Sequence, residues 1–103
     1  TFVEAARSLA QRLMKEGGTT AESRIAYGYR LVTARAPDAD AKRILLAGLN
    51  QRLAEFKASP EAATKLITTG ASKPDASLDP SELAAYTLTA SVLLNLDRTI
   101  TRD

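Results

Sequence analysis

Apolar residues recur at helical spacing from the first positions of the chain. The first set, which lies on one face of a helix predicted over residues 2–15, consists of Phe2, Ala6, Leu9 and Leu13. Charged residues such as Arg7 fall mostly on the other face, so the pattern predicts an amphipathic helix. Gly17 and Gly18 end it, because glycine is favoured just past a helix end.

A second helix is predicted to begin at Thr19, where Glu22 follows three residues later as in a capping box. Its apolar stripe consists of Ile25, Tyr29 and Val32, with Leu31 beside it. Gly28 interrupts the stripe at a cost of about 1 kcal/mol relative to alanine, so we expect a neighbouring helix to approach closely there. Pro37 ends this unit, because the residue before a proline avoids the α region.

Asp38 is the predicted N-cap of the third and longest helix, which extends to about Ala58. Its apolar face contains Leu45, Leu49, Leu53 and Phe56, and is widened by Ile44 and Gly48. Ser59 and Pro60 indicate the start of a short fourth helix, because serine caps helices and proline suits the first turn. That helix presents Ala62, Ala63, Leu66 and Ile67 and is expected to end near Gly70.

Residues 70–78 are the one predicted loop, since they are rich in glycine, serine, proline and aspartate and have no periodicity. Asp79, Pro80 and Glu82 then combine an N-cap, a first-turn proline and a capping box. The apolar positions of the fifth helix cover most of its circumference: Leu83, Tyr86, Leu88, Ala90, Val92, Leu93, Leu94 and Leu96. We therefore expect this helix to be the central and most buried one.

These elements predict a single domain over residues 1–103, with an all-α fold in which about five helices form a compact bundle. Residues 95–103 replace the periodicity with polar and β-branched side chains. We expect this tail to fold back with Leu96 and Ile100 buried; the alternative is that the chain after Asp97 is a disordered stub.

The composition limits the kinds of functional site that the chain can contain. The 103 residues are 45% hydrophobic and 25% charged, which is typical of a globular domain. Cysteine and histidine are absent, which excludes disulfides, thiolate nucleophiles and the commonest general base. No apolar run approaches the roughly 20 residues of a membrane helix. The chain begins with Thr1, which is typical of a segment of a longer protein, so that any targeting signal would lie upstream.

The carboxylates suggest two kinds of site, a calcium site and an acid/base pair. Helix capping explains both groups of carboxylates better. Asp38 and Asp40 resemble the start of a calcium loop, but Arg43 and Leu49 occupy the positions where that loop needs glycine and glutamate. A second group, which an acid/base pair would require, consists of Asp75, Asp79 and Glu82. Two of its members already have capping roles.

Other catalytic or cofactor motifs are missing from the sequence. The chain contains no phosphate-binding loop, and the serines and threonines have no histidine to activate them. Met14 is the remaining candidate haem ligand, and we expect it to pack in the core. We therefore predict no enzyme activity and no catalytic, cofactor-binding or metal site.

Basic residues suggest an alternative function. The arginines around the second helix and the turn after it are Arg24, Arg30, Arg35 and Arg43, and a helix-turn-helix domain would use such residues on nucleic acid. Tyr27 and Tyr29 cannot share a helix face, so we expect one of them to be exposed beside these arginines. However, fourteen basic residues are interleaved with twelve acidic ones, for a net charge of +2. This dispersal does not favour a nucleic-acid-binding footprint.

Several segments resemble one protein family. In order they are residues 2–7, Tyr29 to Val32 with Arg35 and Pro37, residues 78–87, and the more specific closing run Val92 to Arg102. Together they resemble the C-terminal end of the large DUF1553 proteins, also called planctomycete PSD1-domain proteins. Three positions depart from the family pattern: Ala36 replaces an acidic residue, Tyr86 a tryptophan and Arg98 a glutamate.

The resemblance implies an exported, extracytoplasmic parent protein, often with a c-type cytochrome domain and a DUF1549 domain upstream. On this basis we expect a non-catalytic C-terminal module that mediates intramolecular packing or protein assembly. Its partners would be the upstream domains of its own parent chain or another protein, rather than nucleic acid or a membrane. The alternative function is a small helix-turn-helix-like nucleic-acid-binding domain.

Overall fold

A computed structural model describes the backbone of residues 2–69 and 73–100 and the side chains of residues 3–69 and 73–96. The described chain forms helices and loops and contains no strand. The helices are α1 (Phe2–Glu16), α2 (Ala21–Thr33), α3 (Ala39–Ala58), α4 (Pro60–Ile67) and α5 (Pro80–Ile100). The predicted all-α bundle of five helices is therefore confirmed.

Side-chain caps mark the starts of α2, α3 and α5, and the cap of α5 is described with the carboxylates below. Asp38 accepts a hydrogen bond from the backbone N–H of Ala41 at 2.7 Å, which confirms it as the N-cap of α3. The N-cap of α2 is Thr20 rather than the predicted Thr19, because the Thr20 hydroxyl accepts from the N–H of Ser23 at 3.1 Å. Ser59 precedes α4 but its side chain makes no capping bond.

The central position of α5 is also confirmed, because this helix packs against α1, α2, α3 and α4. Its buried side chains are Leu83, Ala84, Ala85, Tyr86, Thr87, Thr89, Ala90 and Leu93. Three of them are alanines, and small side chains allow neighbouring helices to approach closely. Met14 is buried in the same core, as the sequence predicted.

Gly28 occupies the closest approach of α2 to the helices beneath it. A Cβ atom at this position would lie 2.7 Å from Cδ2 of Leu13 on α1 and 2.9 Å from Cδ1 of Leu93 on α5. Both distances are shorter than carbon atoms in contact normally reach. Glycine is therefore required for packing, and the expected close approach of a neighbouring helix is confirmed.

The end of the chain differs from the predicted fold-back. Helix α5 continues through Ile100, so residues 95–100 extend the central helix and do not turn back along the bundle. Leu96 is partly buried against the core. The side chain of Ile100 and residues 101–103 lie outside the described residues. Among the described helices, none is long and apolar enough to cross a membrane.

Candidate interaction surface

Most of the carboxylates that the sequence suggested for chemistry make structural contacts. Asp38 caps α3, as described above, and Asp79 caps α5 by accepting a hydrogen bond from the N–H of Glu82 at 3.0 Å. Within the part of the chain that the structure describes, no three acidic side chains come together in a way that could hold a metal ion.

Asp75 fastens the loop before α5 to helix α1. Its carboxylate forms an ion pair with Lys15, and its backbone N–H donates to Oε1 of Gln11 at 3.0 Å. It also accepts hydrogen bonds from the backbone N–H and the hydroxyl of Ser77, at 2.9 and 2.6 Å. Lys15, and then Ser77, hold the pKa of Asp75 well below its usual value. A carboxylate that Lys15 and Ser77 keep ionised near neutral pH is a poor proton donor or acceptor there.

Arg7 is buried, although the helical pattern placed it on the polar face of α1. Only 2% of its surface is exposed, and its guanidinium donates to the carbonyl oxygens of Ile67 at 2.5 Å and Thr69 at 3.1 Å. These carbonyls lie at and just beyond the end of α4, where backbone acceptors lack intrahelical partners and a cation is favoured. Arg7 therefore fixes the end of α4 against α1.

Two of the four arginines considered for nucleic-acid binding make intramolecular contacts. Arg24 donates to the carbonyl of Gly18 at 3.1 Å and to the Tyr86 hydroxyl at 3.4 Å. Its guanidinium carbon lies 5.4 Å from the centre of the Tyr86 ring, in a cation–π arrangement. Arg43 pairs with Asp40 at 3.2 Å on the surface. Both Arg30 and Arg35 are exposed.

A cluster of polar side chains joins the end of α1 to α2. The Tyr27 hydroxyl donates to Oε1 of Glu16 at 2.6 Å, and Arg12 donates to the same oxygen at 3.3 Å. The hydrogen bond from Tyr27, and then that from Arg12, lower the pKa of Glu16, whereas the bond to Glu16 raises the pKa of Tyr27. The prediction that one of the two tyrosines is exposed is wrong, because Tyr27 and Tyr29 are both half-buried.

The described surface carries two exposed large apolar side chains. One is Leu31, which is 42% exposed. It borders an open groove of about 610 Å³ along α2, whose described lining consists of Gly17, Ser23, Ala26, Tyr27, Arg30 and Leu31. A second groove, of about 390 Å³, lies between α2 and α3 and is lined by Glu22, Ile25, Ala39, Lys42, Arg43 and Leu46.

The other is Ile44 on α3, and it corrects a prediction. The sequence placed Ile44 and Gly48 on the buried face, but Ile44 is 62% exposed. A Cβ atom at Gly48 would meet the side chain of Arg52 and no other described part of the fold. Spacing alone could not separate these residues from the core, because the apolar stripe of α3 is wider than the surface that its neighbours cover.

Comparisons with protein-family models, with curated proteins and with solved structures find no match to this chain. The fold and the surface therefore define only a general class, that of a small all-α bundle. Of the carboxylates and arginines that the sequence singled out, Asp38 and Asp79 cap helices, and Asp75 and Arg24 contact other segments of the bundle. The exposed apolar residues on α2 and α3 are the features that the fold itself does not use.

Proposed function

We propose that this chain is a non-catalytic helical module that packs against protein surfaces, within a larger protein or in an assembly. The observation that supports this most directly is the exposure of two large apolar side chains, Ile44 and Leu31. Full burial of such a side chain contributes roughly 1.5–3 kcal/mol, and the gain here is smaller because Leu31 and Ile44 are already partly covered. Leu31 also borders the open groove along α2, so a protein segment bound in that groove would cover it.

A non-catalytic role agrees with how the polar residues are used. The chain has no histidine or cysteine, and Asp38 and Asp79 stabilise helix starts. Asp75 is held ionised by Lys15 and Ser77. The described contacts of these carboxylates are helix caps and a loop attachment, which are structural roles.

The wider setting of the proposal comes from the resemblance to DUF1553 proteins. On that resemblance the module belongs at the C-terminal end of an exported protein, where it packs on the domains upstream of it. The supporting residues are the closing run from Val92 to Arg102 and the segment from Leu78 to Thr87. The proposal assigns no activity to the parent protein.

Titration of the chain with the polypeptide encoded immediately upstream tests this function. We expect binding, together with slower amide hydrogen exchange on the outer faces of α2 and α3. Replacing Leu31 or Ile44 with serine is expected to weaken binding, because each change removes apolar contact area. Ala54→Ser is the matched control, since Ala54 is also exposed on α3 and is not part of the proposed surface.

Two results would overturn the proposed function. One is equal binding by the control and by both serine variants, which would mean that the exposed apolar residues do not matter. The other is a sequence-specific nucleic-acid complex that persists at about 0.2 M salt, where purely phosphate-driven binding has largely decayed. That result would favour a helix-turn-helix domain that uses Arg30 and Arg35.

A further inference from the structure

Four residues of α3 form one row along its surface. They are spaced four residues apart, so they follow a single ridge of the helix, and in order they are Asp40, Ile44, Gly48 and Arg52. Along the helix the row therefore consists of an acidic residue, an apolar residue, a glycine without a side chain and a basic residue. Asp40 and Ile44 are exposed, and Gly48 and Arg52 are half-buried. No described helix covers Asp40 or Ile44.

Gly48 has no evident purpose within the monomer. Glycine in the middle of a helix destabilises it by roughly 0.5–1 kcal/mol relative to alanine. A methyl group at this position would lie 3.2 Å from Nη1 of Arg52, which is the end of a flexible side chain. At Gly28, by contrast, two buried leucines leave no space for one. The missing side chain at Gly48 leaves a notch in the row that only the end of the Arg52 side chain approaches.

The row is complementary to itself when it is reversed. If a second copy of α3 runs antiparallel, with its row aligned on the first, Ile44 of each copy lies over Gly48 of the other. The same alignment places Asp40 of each copy opposite Arg52 of the other. Both pairs are centred on position 46, with Ile44 and Gly48 about 3 Å from it along the helix and Asp40 and Arg52 about 9 Å from it.

We propose that a second copy of this chain docks on the Asp40–Ile44–Gly48–Arg52 row, and that two α3 helices form an antiparallel, two-fold symmetric contact. Rows of this kind align when helices cross at about 50°. Asp40 is available because its pair with Arg43 is on the open surface, where ion pairs contribute little. In this contact the side chain of Arg52 moves away from Gly48 and reaches Asp40 of the second copy.

This inference deepens the proposed function, because it rests on the same exposed Ile44 and names the partner. One pair of crossing helices buries less than the roughly 1,200 Å² typical of stable interfaces. Self-association is therefore expected to be weak, and to be detected in a series reaching about 1 mM protein. Symmetry lets each contact occur twice, which favours the two-fold dimer over open chains.

Sedimentation equilibrium with charge-reversed variants tests the pairing. Asp40→Arg places arginine opposite arginine, and Arg52→Asp places acid opposite acid, so each is expected to weaken dimerisation at least about tenfold. The double variant restores opposite charges and is expected to recover dimerisation to within about threefold. A monomer at every concentration, or a double variant no better than the single ones, overturns the proposal.

Disulfide trapping tests the antiparallel orientation, and the chain provides a background without cysteine. Mixing an Asp40→Cys chain with an Arg52→Cys chain is expected to give a mixed disulfide. Each variant alone is expected to stay reduced, because its two cysteines would be about 18 Å apart along the helix, beyond disulfide reach. Homodisulfides as the main products would indicate parallel pairing and overturn the proposal.

Gly48→Ala separates the dimer contact from helix stability. The substitution is expected to weaken dimerisation about tenfold by filling the notch while it stabilises the monomer. Undiminished dimerisation would refute the role of the notch. Failure of this inference is distinguishable from failure of the proposed function, because a strictly monomeric chain can still bind the upstream polypeptide through Leu31 and Ile44.

Discussion

The same substitution at two helical glycines is expected to change stability in opposite directions. Gly28 and Gly48 both lie inside helices, so replacing either with alanine removes the conformational cost of glycine, about 0.5–1 kcal/mol. The surroundings differ. The new methyl group at Gly28 would lie 2.7 Å from Leu13 and 2.9 Å from Leu93, whereas at Gly48 it meets one arginine side chain.

The net effect follows from comparing these terms. Leu13 and Leu93 are fully buried, so they cannot move without disturbing α1 and α5. Forcing an extra carbon into such a core typically costs about 1–3 kcal/mol, which exceeds the helix-propensity gain. We expect Gly28→Ala to lower the free energy of unfolding by about 1–2 kcal/mol. Gly48→Ala is expected to raise it by about 0.5–1 kcal/mol.

Thermal and urea unfolding, followed by circular dichroism at low micromolar concentration, measures both effects without contribution from self-association. In a domain of this size 1 kcal/mol corresponds to about 4–8 °C in Tm, so the two variants should differ by about 6–24 °C. Equal stabilisation by both alanines would refute the reasoning. It would mean that α2 can shift away from Leu13 and Leu93 at little cost.

Three further predictions concern polar contacts. Arg7→Met is expected to destabilise the fold by about 2–4 kcal/mol in urea unfolding, because it leaves buried carbonyls at the end of α4 without their charged donor; wild-type stability would contradict this. Asp38→Ala should lower the free energy of unfolding by about 1 kcal/mol, whereas Ser59→Ala should leave it nearly unchanged, since Ser59 makes no capping bond. Asp75 has a lowered pKa, so its stabilisation is present above its unfolded pKa of about 3.9 and is lost as the pH falls toward the folded value. The stability difference between wild type and Asp75→Asn should therefore be constant from neutral pH to about pH 5 and shrink below about pH 4; a constant difference throughout would refute the ion pair with Lys15.

Local signals in the sequence were sufficient to predict the helices and most of their starts. Asp38 and Asp79 cap the helices they were expected to cap, because a capping bond spans only three residues and depends on little else. The capping residue of α2 was misplaced by one position, to Thr19 instead of Thr20. Two adjacent threonines offer the same hydroxyl, so the sequence signal alone does not distinguish them.

Apolar periodicity also predicted the central place of α5 and the close approach at Gly28. A helix that is apolar around most of its circumference must be covered on most sides. A glycine within an apolar stripe similarly indicates a neighbour too close for a side chain. In both cases one helix carries enough information, since the pattern records how much of its surface is covered.

Only the tertiary structure decided which residues at the margins of these patterns are covered. Arg7 appeared polar and outward-facing but is buried, because the end of α4 needs a donor that only the packed fold brings near it. Ile44 appeared part of the core but is exposed, because α5 and α2 cover a narrower strip of α3 than its apolar residues span. Helical spacing determines which residues share a face, whereas the width and partner of that face depend on how distant segments pack.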